Sequence, residues 1–109
     1  MLIDFSAIPE TVIPHMRGGE KEVHAHMFTD AMGKVMQGRL SAGASIGLHT
    51  HETNCEVIYI LSGTGKVLCD GAYEPLAPGA CHYCPKGHAH SLINDSDGDL
   101  VFFDVVPEQ

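Results

Sequence analysis

Cations are scarce in this chain. Its 109 residues hold six lysines and arginines against fourteen aspartates and glutamates, a formal charge of −8. So acidic a surface disfavours nucleic acid and anionic membranes as partners. No tryptophan is present, and no apolar run approaches the roughly 18 residues that cross a bilayer. The first residues, Met1-Leu2-Ile3-Asp4-Phe5-Ser6, carry neither the basic nor the apolar segment of a secretory signal, so a cytoplasmic protein is expected. No long 3.6-residue periodicity occurs, which leaves little room for helix. Repeats and low-complexity tracts are also missing. The length fits one domain, and 44% hydrophobic content is enough to fill a single core.

Four cysteines are present: Cys55, Cys69, Cys81 and Cys84. Without an export signal they read as thiols rather than a disulfide framework. Cys81 and Cys84 have the spacing of a redox or zinc pair. Positions three apart in a strand face opposite sides, however, and no second Cys pair completes a zinc site. Buried thiols are the better reading.

What the chain does have is a succession of short β-prone runs. Strands are expected at about 23–28, 34–41, 46–51, 56–61, 65–70, 80–84, 90–94 and 100–106, with turn residues between them, as in a sandwich or barrel. Asp70-Gly71 is a strong two-residue hairpin signal. Residues 1–22, with Pro9 and Pro14, read as an irregular arm, 23–106 as the barrel and 107–109 as a short tail. If Glu56 points inward, strand parity sends Ile58 and Ile60 inward too, and leaves an apolar outer set of Val57, Tyr59 and Leu61. That outer set needs a cover, a second sheet or a partner chain, and a homodimer is expected.

Two segments carry the chemistry. One reads Gly43, then His49, His51 and Glu56, then Gly63; the other reads Gly79, then Pro85, Gly87, His90 and Asn94. His49 and His51, two apart, share one face of a strand. Glu56 opens the next strand after a polar turn, where its carboxylate can swing back. His90 arrives from a distant strand to close the set. Three imidazoles and one carboxylate suit one divalent transition metal: Fe, Mn, Ni, Co or Zn. On a six-coordinate ion four such ligands leave two open positions; on tetrahedral zinc they leave none.

Gly-x5-His-x-His-x4-Glu-x6-Gly followed by Gly-x5-Pro-x-Gly-x2-His-x3-Asn resembles, position for position, the two motifs of the cupin superfamily, in its small single-domain conserved-barrel form. The resemblance covers residues 43–94 and implies an all-β, double-stranded β-helix (jelly-roll) barrel with the metal inside, held by His49, His51, Glu56 and His90. It also implies frequent dimers, often joined by exchange of the N-terminal strand. Family members include dioxygenases, sugar-phosphate isomerases, lyases and decarboxylases, while others only bind a sugar or small effector.

The expected function is therefore a metal-dependent enzyme, dioxygenase- or oxidoreductase-like, acting on a small organic molecule. The alternatives are a non-catalytic module for a sugar or metabolite and a sugar-phosphate isomerase-type enzyme. The isomerase needs pocket cations, for which Arg39, Lys66 and Lys86 are the candidates. A pocket of about 300 Å³ or more is expected. His88 and Asp104 are the expected contacts to its contents, with Ile58, Ile60 and Phe102 as its apolar wall. For Asp104 a solvated edge position is the competing reading. His82 is placed at the rim. His24 and His26 form a second His-x-His, either a surface or interface pair or a further metal site.

Overall fold

Period-two alternation of apolar residues folds into ten strands: β1 (Thr11–Pro14), β2 (Glu22–Asp30), β3 (Gly33–Leu40), β4 (His49–Thr50), β5 (Glu56–Ser62), β6 (Gly65–Cys69), β7 (Ala72–Leu76), β8 (Cys81–Cys84), β9 (Ala89–Ile93) and β10 (Leu100–Pro107). These are taken from a computed structural model that describes residues 1–109. One sheet has the order β1-β2-β3-β10-β5-β8 and the other β4-β9-β6-β7. Every pairing is antiparallel. The two sheets face each other as a jelly roll, and helix is confined to two three-residue 3-10 turns, Phe5–Ala7 and Met16–Gly18. No helix is long and apolar enough to cross a membrane.

The inner faces supply the core. Leu40, Ile58, Ile60, Leu92, Leu100 and Phe102 are buried between the sheets. Each such side chain contributes roughly 1.5–3 kcal/mol on burial. In β5 and β10 the burial alternates strictly along most of the strand, with Glu56, Ile58 and Ile60 inward on one and Leu100, Phe102, Asp104 and Val106 inward on the other. Register sets Asp104 opposite Ile58 of β5 and Met36 of β3. The outward residues Tyr59, Leu61 and Tyr83 stay exposed on one face.

Two strands escaped the reading of the sequence, and both carry proline. β1, inside the segment read as irregular, pairs with β2 and ends at Pro14; β7 contains Pro75. Each is the edge strand of its sheet, where a residue without an N–H costs no ladder bond on the open side. β6 and β7 meet at the expected hairpin. Asp70 and Gly71 have φ of +50° and +81°, so both central residues take the left-handed conformation of a type I′ turn. Conversely, the run 46–51 is strand only at His49–Thr50. Residues 107–109 also join the barrel: Glu108 bridges Asn54, and the Gln109 N–H donates to the Thr53 carbonyl at 2.9 Å.

Candidate metal centre

The four motif side chains meet between the sheets, where β4 and β9 face β5. His49 and His90 are register partners in the β4–β9 pair. His51 follows two residues after His49, and Glu56 begins β5. Their ligand atoms all lie within 4.8 Å of one another. His51, Glu56 and His90 are buried, and His49 is half-buried.

Three of the distances carry the chemistry. His51 Nε2 lies 2.9 Å from both Glu56 Oε1 and His90 Nε2, and His90 Nε2 lies 2.8 Å from Glu56 Oε1. Bonds of about 2.1 Å at right angles around an ion leave donor atoms about 3 Å apart, so the spacing matches one edge-sharing set of donors. The far ring nitrogens are all occupied. His49 Nδ1–H donates to the Gly47 carbonyl at 2.7 Å. His51 Nδ1–H donates to Asn54 Oδ1. His90 Nδ1 lies 2.9 Å from His82 Nε2 and donates to it when His82 carries its proton on Nδ1. In the tautomer with a proton on each of these Nδ1 atoms, each Nε2 keeps its lone pair and turns it inward. Lone pairs and a carboxylate oxygen converging without a donor among them define a place for a cation, and held far nitrogens are the usual support of metal-bound imidazoles.

The electrostatics of the metal-free cluster differ from ring to ring. Burial holds the His49 pKa below its ordinary value, which keeps that ring neutral and able to coordinate. The hydrogen bond to Glu56 that forms when Nε2 is protonated raises that of His51, so a metal has a proton to displace there. Burial alone would raise Glu56, but a hydrogen bond from Asp104 and, in the metal-free state with a proton on Nε2, hydrogen bonds from His51 and His90 outweigh it and hold the carboxyl below the usual carboxylate range. Asp104 behaves oppositely. It is fully buried, and burial together with the neighbouring Glu56 pushes its pKa well above the ordinary value. Its two oxygens have no donor facing them; protonated, it becomes a donor itself and serves Glu56. The solvated edge reading of Asp104 is thus replaced by a neutral acid behind the cluster. His82, expected at the rim, is likewise buried, its pKa lowered by burial, and it backs His90.

A cavity of about 270 Å³ opens at this end of the barrel, a little under the size expected. His49, His51 and Glu56 form part of its wall, with Met16, Met36, Ile46 and Val106 as the apolar side. The wall expected from the sequence lies elsewhere. Ile58, Ile60 and Phe102 do face inward, but they are further along their strands and belong to the core. Asp104 is behind Glu56 rather than at the cavity surface. His88 is exposed and paired through Nδ1 with Asp70 Oδ2 at 2.6 Å; only its carbonyl reaches the site, accepting the His51 N–H at 3.0 Å.

Two cations line the cavity, Arg17 and Lys34, and neither was among the expected three. Arg39 points to the outer face, Lys66 lies over the Tyr73 ring, and Lys86 is exposed. Lys34 shares its strand face with Met36 and Leu40, a placement that parity alone gives. Arg17 owes its position to backbone. His15 and Arg17 both take positive φ, +50° and +55°, a conformation costly for non-glycine residues and common at functional sites. Gly47 then lets this segment approach closely: a Cβ there would fall 2.0 Å from the Arg17 carbonyl oxygen, and the Gly47 N–H donates to Met16 O at 3.0 Å.

The remaining residues singled out in the sequence lie outside the four-donor cluster. Asn94 Nδ2 donates to the carbonyls of Leu40, Ser41 and Gly98 at 2.8–3.0 Å, so it ties the 95–99 turn to β3. His24 and His26, on the outer face, meet Glu10 of the N-terminal arm at 3.1 and 3.9 Å. Cys84 is buried and Cys81 exposed, as opposite strand faces require, and burial pushes the Cys84 thiol up to about 12.

Fold and site together define a jelly-roll barrel with an internal four-donor cluster that could hold a metal. A family described as the cupin domain matches residues 36–106, and the chain belongs to that family. An oxalate-binding protein of Thermotoga maritima is 35% identical over 112 residues, covering 97% of this chain and 93% of the relative. The crystal structure of a predicted oxalate decarboxylase from Thermotoga maritima superposes with a TM-score of 0.93 at 30% identity, each chain covered in full. A sugar phosphate isomerase of the cupin superfamily from Silicibacter pomeroyi shares the fold, with a TM-score of 0.79 at 24% identity over 100% of this chain and 76% of that one.

Proposed function

We propose that the chain is a metal-dependent cupin that binds a small organic anion, with a dicarboxylate of oxalate size as the first candidate. One divalent ion would be held by His49, His51, Glu56 and His90 and would act as a Lewis acid toward oxygen donors. The observation that carries the reading is the placement of Arg17 and Lys34. In a chain of charge −8 with only six basic residues, two of the six line the one cavity that the donor cluster faces. A dicarboxylate offers oxygen atoms to the ion's open positions and negative charge to these cations. The oxalate-binding relative, similar over nearly its whole length, supports the same ligand class.

Calorimetric titration with oxalate, malonate, a hexose 6-phosphate and a neutral phenol tests this, with and without chelator. Oxalate should bind only to metal-loaded protein. Arg17→Ala should weaken it about tenfold to a hundredfold, the value of about 1.5–3 kcal/mol for hydrogen bonds to a charged group. If the sugar phosphate binds and the dicarboxylates do not, the isomerase-type reading replaces this one. The oxidoreductase-like reading rests on the apolar half of the cavity, Met36, Ile46 and Val106, which suits an alkyl or aromatic substrate. Chelator-sensitive oxygen uptake with a phenol or thiol would favour it.

The exposed outer residues Tyr59, Leu61 and Tyr83, with half-buried Val57 and Phe103 beside them, support a homodimer through this sheet face. Light scattering at micromolar concentration should give twice the chain mass, and Tyr59→Glu should halve it. A monomeric wild type refutes the dimer.

A further inference from the structure

Asn54 touches the donor cluster from behind, and its own orientation is fixed from outside the motif. A side-chain amide is ambivalent, since either its oxygen or its nitrogen can face a neighbouring ring. Here Asn54 Nδ2 donates to Glu108 Oε1 at 3.1 Å, and the Thr53 hydroxyl donates to Glu108 Oε2 at 3.1 Å. An ionised carboxylate only accepts, so Glu108 demands the nitrogen of Asn54. That leaves Oδ1 for His51, which must then carry its proton on Nδ1. With the amide turned over, His51 would accept at Nδ1 and hold its proton on Nε2, facing His90 and Glu56, where the lone pair is needed. Glu108 is itself anchored. Its N–H donates to the Met32 carbonyl at 2.8 Å, and the Gln109 N–H donates to Thr53 O at 2.9 Å.

We infer that Glu108 and Asn54 form a positioning relay: Glu108 orients the Asn54 amide, and Asn54 sets the His51 tautomer that presents Nε2 to a divalent ion. The inference rests on the metal reading of the cluster and extends it to a residue 54 positions from Asn54 in sequence. Neither residue is among the four donors. Their effect is on the affinity and the tautomer.

The test uses the full chain and Zn²⁺ as the probe, with affinity read by competition against a chelating dye. Asn54→Leu should weaken zinc about 10–100-fold, the usual cost of losing an outer-shell partner. Glu108→Ala should fall at the lower end of that range. Glu108→Gln, which keeps an oxygen for Asn54 Nδ2, should recover most of the loss; a purely packing role would not be rescued in this way. The second readout needs no metal. Imidazole ¹⁵N shifts of the zinc-free protein at alkaline pH, where the rings are neutral, should show the Nδ1–H tautomer of His51 in the wild type and a mixture in Asn54→Leu. Unchanged affinity and tautomer in Asn54→Leu and Glu108→Ala overturn the relay, and the exposed position of Glu108 keeps that comparison available if Asn54→Leu folds poorly. A wild type that binds no zinc, but whose tautomer still depends on Asn54, retires the metal reading and leaves the relay standing.

Discussion

His51→Ala is expected to abolish the proposed binding of a divalent ion, from one per chain to a small fraction after dialysis against metal-free buffer. His51 is the hub of the cluster, with its Nε2 2.9 Å from both Glu56 and His90. Losing an outer-shell partner alone costs about 10–100-fold in affinity, so losing one of four donors should exceed about 100-fold. Glu56→Gln should behave similarly, because the amide removes the only negative charge among the four donors. His88→Ala is the control. That ring is exposed and engaged with Asp70, and its loss should leave the ion in place. Elemental analysis of the three variants beside the wild type decides the matter. Unchanged stoichiometry in His51→Ala would remove this residue from the ligand set.

Three of the four donors were legible because their information is local: His-x-His puts two rings on one strand face, and a short polar turn leads to Glu56. His90 comes from a distant strand and was legible through the second motif, Gly79-x5-Pro85-x-Gly87-x2-His90-x3-Asn94. Parity also gave the inward direction of Ile58 and Ile60. What parity does not give is depth. It names the face of a strand and not the end of the barrel at which a cavity opens, so Ile58, Ile60 and Phe102 fell in the core while Met36, Ile46 and Val106 line the cavity. Lys34 could have been found from its shared face with Met36 and Leu40. Arg17 could not, because its placement depends on two left-handed backbone positions and on the close approach permitted by Gly47. Glu108 was hidden for another reason. Its partners Thr53 and Asn54 lie more than fifty positions away, and no spacing rule joins them. Proline concealed β1 and β7, whose edge positions make it harmless.

Asp104→Asn is expected to make the metal-free protein more stable at neutral pH, by an amount that grows with pH. Asp104 is fully buried with no donor facing either oxygen, and burial raises its pKa well above 3.8, the ordinary value. Below pH 3.8 the acid is protonated in both states and does not bias folding. Above it, the unfolded chain ionises this residue while the folded chain keeps it neutral, so unfolding releases a proton. Stability is then lost as pH rises from 3.8 toward the raised folded value, at about 1.4 kcal/mol per pH unit. Asparagine cannot ionise, and its Nδ2 can donate to Glu56 as the protonated acid does. The difference between variant and wild type should therefore increase by about that slope per unit in urea unfolding at successive pH values, measured with chelator present. A pH-independent difference would mean that Asp104 is charged in the folded protein. It would then have to draw its compensation from Lys34, the one cation noted near it, and the neutral-acid account of how Glu56 keeps its charge would have to be abandoned.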